Sequence, residues 1–167
     1  MANTIGILYL GKSLTKIRKM NRRKTYFYIA LILTLTVVIL LVTGSSLLTR
    51  ALDNSQSIPF GTFITWTGMI SLPLTIYWGI KDLRKPSGKL NRILSVFLKI
   101  IIISGILWVP ISYLLAGNLS FSFSEKETFQ GGQVAMRWFW WFSYGIGVGA
   151  LLTSILYWIS LLFKKIK

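Results

Sequence analysis

The chain has 167 residues, enough for one domain, and 53% of them are hydrophobic while 14% are charged; soluble domains carry about 25% charged residues. Nineteen Lys and Arg stand against four acids, a formal net charge of +15. Cysteine and histidine are absent, which excludes disulfides, the usual zinc and copper ligands and the histidine that holds most haems, so no cofactor is expected.

With a mean hydropathy of +0.62, the apolar excess has to face lipid. Residues 1–24 are basic, carrying Lys12, Lys16, Arg18, Lys19, Arg22, Arg23 and Lys24. Ile5, Leu8, Leu14 and Ile17 recur near helical spacing among them. This fits either a short interfacial amphipathic helix or a disordered basic tail. A first apolar run follows at 25–48. It exceeds the roughly 7–15 residues of a signal-peptide core, so it reads as an anchor and not as a cleaved leader.

Residues 49–59 hold Arg50 and Asp53, which cancel. The second apolar run, 60–80, contains a seam of Gly61, Thr65, Gly68, Leu72, Thr75 and Gly79. Steps of four and three put all six on one helix face. Five of the six are Gly or Thr, and small faces let helix backbones approach closely in lipid. Pro73 sits inside this run and frees the carbonyl of Met69 one turn back.

The next segment carries Lys81, Arg84, Lys85, Lys89 and Arg92 against Asp82 alone. In the third run, 93–116, Lys99 is the one charge inside a predicted span. It lies roughly 10 Å beyond Arg92 at helical rise, a depth from which a lysine stem snorkels to the interface. Pro110 in the same run frees the carbonyl of Ile106. Ser95 and Lys99, four residues apart, are the nearest approach to a serine nucleophile with a base, and no facing pair of carboxylates exists in any run. The chain is therefore not expected to be an enzyme.

Residues 119–124 alternate Leu119, Phe121 and Phe123 with serines, the period of a strand. Glu125, Lys126, Glu127 and Arg137 cancel around the Gly131-Gly132 pair. The fourth run, 138–163, opens on Trp138, Phe139, Trp140, Trp141, Phe142 and Tyr144, an aromatic belt of the kind found at membrane interfaces. Gly145 and Gly149 then make a G-x-x-x-G pair continued by Thr153. Lys164, Lys165 and Lys167 close the chain.

Each run spans about 30–40 Å as a helix, enough to cross a hydrocarbon core of about 30 Å, and a lipid-embedded backbone has to be helical. The predicted fold is an all-α integral membrane protein with four transmembrane helices in two hairpins. It divides into a basic segment 1–24, a four-helix domain 25–163 and a basic tail 164–167. Sixteen basic residues and one acid fall on one side, three of each on the other. The positive-inside rule puts the first side, and both termini, in the cytoplasm.

That distribution explains the charge through topology, so nucleic acid is not the expected partner. The expected partners are membrane lipids, chiefly anionic, and other integral membrane subunits. Lys16, Arg18, Lys19, Arg22, Arg23, Arg84, Lys85, Lys89 and Lys99 are the candidate lipid or partner contacts. Gly61, Thr65, Gly68, Thr75, Gly79, Gly145 and Gly149 are the candidate packing positions. The functional expectation is a non-catalytic accessory, assembly or stabilising subunit of a larger membrane complex. Two alternatives stand beside it: a small homo-oligomeric pore or transporter, and a membrane-anchored regulator acting through its basic cytoplasmic face.

Overall fold

A computed structural model describes residues 2–52, 58–119, 129 and 131–166. The described residues are all helical apart from turns and one isolated bridge between Ala51 and Pro59. The helices are α1 (Ala2–Val42), α2 (Phe60–Gly79), α3 (Lys81–Arg84), α4 (Lys89–Ile106), α5 (Trp108–Ala116) and α6 (Gly132–Ile166). The alternating segment at 119–124 lies, except for Leu119, outside the described residues.

Two helices are long and apolar enough to cross a membrane: Arg22–Val42 within α1, and Gly132–Phe163 within α6. A third candidate is α4 with α5, apolar together but bent by 55° at their junction. The second predicted run coincides with α2, whose 20 residues reach about 30 Å. Length and composition alone support two to three spanning helices among the described residues. Residues 2–24 lie within α1, which runs for 41 residues. That is about 60 Å of helix, roughly twice the thickness of a hydrocarbon core.

The architecture is built around α2, which packs against every other helix, whereas α1 touches α2 alone among the described helices. Gly44, at φ 58°, ends the first helix, with the Ser45 amide donating back to the Leu40 carbonyl at 3.2 Å. The chain then turns so that the Gly61 amide donates to the Leu48 carbonyl at 2.8 Å. On the other side of α2, one core cluster joins Trp108 and Ala116 of α5 to Phe139, Ile146 and Ala150 of α6 and Ile101 of α4. A second cluster joins Leu83, Leu94, Leu98 and Tyr157.

The two prolines act differently. Pro73 is accommodated inside α2 without interrupting it. Pro110 lies three residues beyond Leu107, where α4 gives way to α5. Both freed carbonyls sit at the junction of α2 with α4 and α5. Trp66 of α2 donates its indole N–H to the Ile106 carbonyl at 3.2 Å and to the Gly105 carbonyl at 3.1 Å. The Met69 carbonyl rests on the backbone of Gly105, so closely that a methyl group there would overlap its oxygen. Glycine at 105 is thus required by close approach of two backbones.

Replacing Gly105 with Ala should therefore destabilise the bundle by about 1–3 kcal/mol through overpacking, even though helix propensity alone favours alanine by about 1 kcal/mol. Equilibrium unfolding in mixed detergent micelles measures this. Gly145→Ala, at a position where an added Cβ meets nothing within 4 Å, should stay neutral or gain stability.

Candidate functional site

The sequence points to two surfaces, a set of helix-packing faces and a basic end. The α2 seam turns mostly toward α1. A Cβ added at Gly68 would stand 2.6 Å from Val37 Cγ1, and one at Gly79 2.9 Å from Phe27 Cε2. Gly61 is buried against the chain at Leu48. Thr75 donates to the Ser71 carbonyl at 2.8 Å and lies 3.2 Å from Thr34 Oγ1. Thr34 in turn stands 2.8 Å from the Ala30 carbonyl and 3.0 Å from Ser71 Oγ. A knot of three hydroxyls thus ties α1 to α2 mid-helix. Leu72 departs from the seam and packs into the α4–α6 core. Thr65 Oγ1 is buried without a hydrogen-bond partner.

In α6 the two glycines of the G-x-x-x-G pair part company. Gly149 is buried against α4, with a Cβ position 3.0 Å from Ile101 Cδ1. Gly145 is exposed and faces open space, as does the Cβ position of Gly147. The reason is the curvature of contact: α5 and α4 meet α6 through Phe139, Ser143, Ile146 and Ala150, and Gly145 lies off that stripe. The aromatic belt divides in the same way. Trp138, Trp141 and Tyr144 are exposed, whereas Phe139 enters the core with its ring 5.9 Å from that of Trp108. Trp108, nearly fully buried, donates to Ser143 Oγ at 2.8 Å, and Ser143 donates to the Phe139 carbonyl at 2.8 Å.

The basic segments come together at one end of the bundle. Phe27 against Gly79 brings the middle of α1 to the end of α2. Tyr157 of α6 donates to Asp82 Oδ2 at 3.2 Å, and Leu83, with no exposed surface, is inserted beneath it. The segment from Lys81 to Lys89 is therefore pinned to the bundle. Arg22, Lys85 and Lys89 are exposed there, and Arg23 and Arg84 half-buried. The Arg84 guanidinium carbon lies 5.7 Å from the centroid of the Trp78 ring. The side chains of Lys16, Arg18 and Lys19 fall outside the described residues. Lys99 is exposed on α4 while Ser95, one turn earlier, is buried. The two therefore face different surroundings. Among the described residues no group of three His, Cys, Asp or Glu side chains comes together.

Several structural residues are not apparent from local pattern. Trp66, Gly105, Trp108 and the Tyr157–Asp82 pair all act between helices far apart in sequence. The one available signal is the spacing of Pro110 from Ile106, which announces a carbonyl in need of a donor but not which donor.

Gly68→Leu should force α1 away from α2 and cost about 1–3 kcal/mol of stability, read from detergent-induced unfolding. Ile70→Leu, a volume-conserving change off that contact, should cost less than about 1.5 kcal/mol. Equal losses would mean that the seam has no special place in the hairpin.

Comparison with protein-family models, with curated proteins and with solved structures finds no match.

Proposed function

We propose that the chain crosses the membrane four times with both termini in the cytoplasm, and that it is a non-catalytic accessory subunit that stabilises or positions another integral membrane protein. The observation that carries the reading is the outer face of α6. Gly145 is open to contact and lies beside the exposed stripe of Trp141, Tyr144, Val148 and Leu152. A small residue next to large apolar side chains suits the close approach of a helix from another chain. Inside the bundle, polar side chains such as Thr34, Ser71, Thr75, Trp108 and Ser143 serve helix packing.

The α2 assignment as a membrane span is supported by its place in the bundle. It is wrapped by the candidate spans on both sides, and its 20 residues match the hydrocarbon thickness. Of its small residues, Gly68, Gly79 and Thr75 pack against α1. The orientation follows the charge, since the basic end faces the cytoplasm by the positive-inside rule. The charge at that end exceeds what three or four residues need to orient α1, and the surplus meets anionic lipid or an acidic surface of the partner.

Purification of the full chain in mild detergent, followed by mass spectrometry of what accompanies it, tests the function. A stoichiometric integral membrane partner is expected. Gly145→Leu should release that partner while leaving the isolated chain as stable as wild type, because the position faces open space. A closed ring of this chain alone would instead favour the pore reading. Neutralising Lys16, Arg18 and Lys19 to Gln leaves Arg22, Arg23 and Lys24 to hold orientation. The variant should insert normally but lose partner or lipid content, and unchanged content would reduce the charge to an orientation signal.

A further inference from the structure

A groove of about 330 Å³ opens between α1 and α2 and is lined by residues of these two helices. Its walls are chiefly apolar and include Leu33, Ile70 and Leu74. Trp66 lies toward one end and Tyr26 with Trp78 toward the other, their rings 5.3 Å apart. From Trp66 to Trp78 the groove runs about 18 Å at helical rise, close to half of a hydrocarbon core of about 30 Å. It therefore reaches from the basic end of the bundle to the bilayer midplane.

The end beside Trp78 carries a cation. The Arg84 guanidinium lies 5.7 Å from the Trp78 ring centroid, and Arg84 Nε is buried without a hydrogen-bond partner. The nearby acid, Asp82, already accepts from Tyr157. A planar guanidinium matches the oxygens of a phosphate. Aromatic rings of Tyr and Trp suit the depth of lipid headgroups and glycerol.

From this juxtaposition we infer that the α1–α2 groove is a binding site for one anionic phospholipid of the cytoplasmic leaflet. One acyl chain lies along Tyr26, Ile70, Leu74 and Trp66, and the phosphate is held by Arg84 over Trp78. The lipid seals the open side of a hairpin in which α1 has α2 as its sole helical neighbour among the described helices. The site rests on the four-span reading with its basic end inward, but on no partner subunit. A purified chain tests it, and its failure leaves the accessory-subunit reading intact.

The test is native mass spectrometry of the full-length protein released from detergent containing equal amounts of phosphatidylglycerol and phosphatidylcholine. One retained phosphatidylglycerol is expected, favoured about fivefold over phosphatidylcholine, the gain of one well-placed cation near an anionic headgroup. Arg84→Gln should bring that preference close to one. Ile70→Trp and Leu74→Trp should fill the groove and abolish retention, with helix content by circular dichroism unchanged. Arg50→Gln, which removes an exposed charge at the opposite end of α2, should leave retention within about twofold. Equal retention of the two lipids, retention that survives both tryptophan variants, or equal loss in Arg50→Gln would overturn the site. So would a second protein chain, lost on groove filling, in place of the lipid.

Discussion

A proline inside a lipid-facing helix leaves a carbonyl one turn back without its amide, and hydrocarbon offers no water to replace it. Two such carbonyls arise here, at Met69 from Pro73 and at Ile106 from Pro110, and one junction accommodates both. The Trp66 indole reaches across to the Ile106 carbonyl, while the Met69 carbonyl lies on the bare backbone of Gly105. The 55° turn between α4 and α5 occurs at this point. It carries Trp108 inward to Phe139 and Ser143 of α6. The position of α6 thus depends on how α2 meets the break in its neighbour.

The same helix holds the other half of the molecule by a different means. Lipid tails are as apolar as leucine, so no hydrophobic gain draws α1 to α2; close packing and interhelical hydrogen bonds do. Gly68 and Gly79 let Val37 and Phe27 approach, and Thr34, Ser71 and Thr75 share hydroxyl contacts. Each such hydrogen bond between membrane helices is worth only about 0.6 kcal/mol, which makes the fit of small residues the larger contribution.

The apolar runs, the basic segments and most of the α2 seam were legible in the sequence, because each is a local pattern of period, charge or residue size. The bounds of the second run and of α2 nearly coincide, and the basic segments around Arg22 and Arg84 do meet at one end of the bundle. What was not legible depends on distant partners. Spacing alone made Gly145 and Gly149 equivalent, yet only Gly149 meets another helix, because the contact stripe of α6 is set by where Trp108 and Ile101 arrive. Similarly, Pro110 announced a freed carbonyl at Ile106 but neither the bend nor Trp66, which lies 40 residues before Ile106. Residues 1–24 suggested an interfacial piece or a tail, and residues 2–24 are part of α1.

In the proposed reading, the pinned basic end, the groove above it and the open face of α6 meet lipid and other membrane helices. All of this depends on α2 passing through the bilayer at the centre of the bundle. The chain contains no cysteine, so Thr49→Cys and Ser87→Cys each place a single thiol, on exposed residues that bracket α2. The decisive measurement is labelling of these thiols by a membrane-impermeant maleimide in sealed vesicles of both orientations. If α2 crosses the membrane with its basic end in the cytoplasm, position 87 labels only in inside-out vesicles and position 49 only in right-side-out ones. Labelling of both positions from the same side would contradict the account.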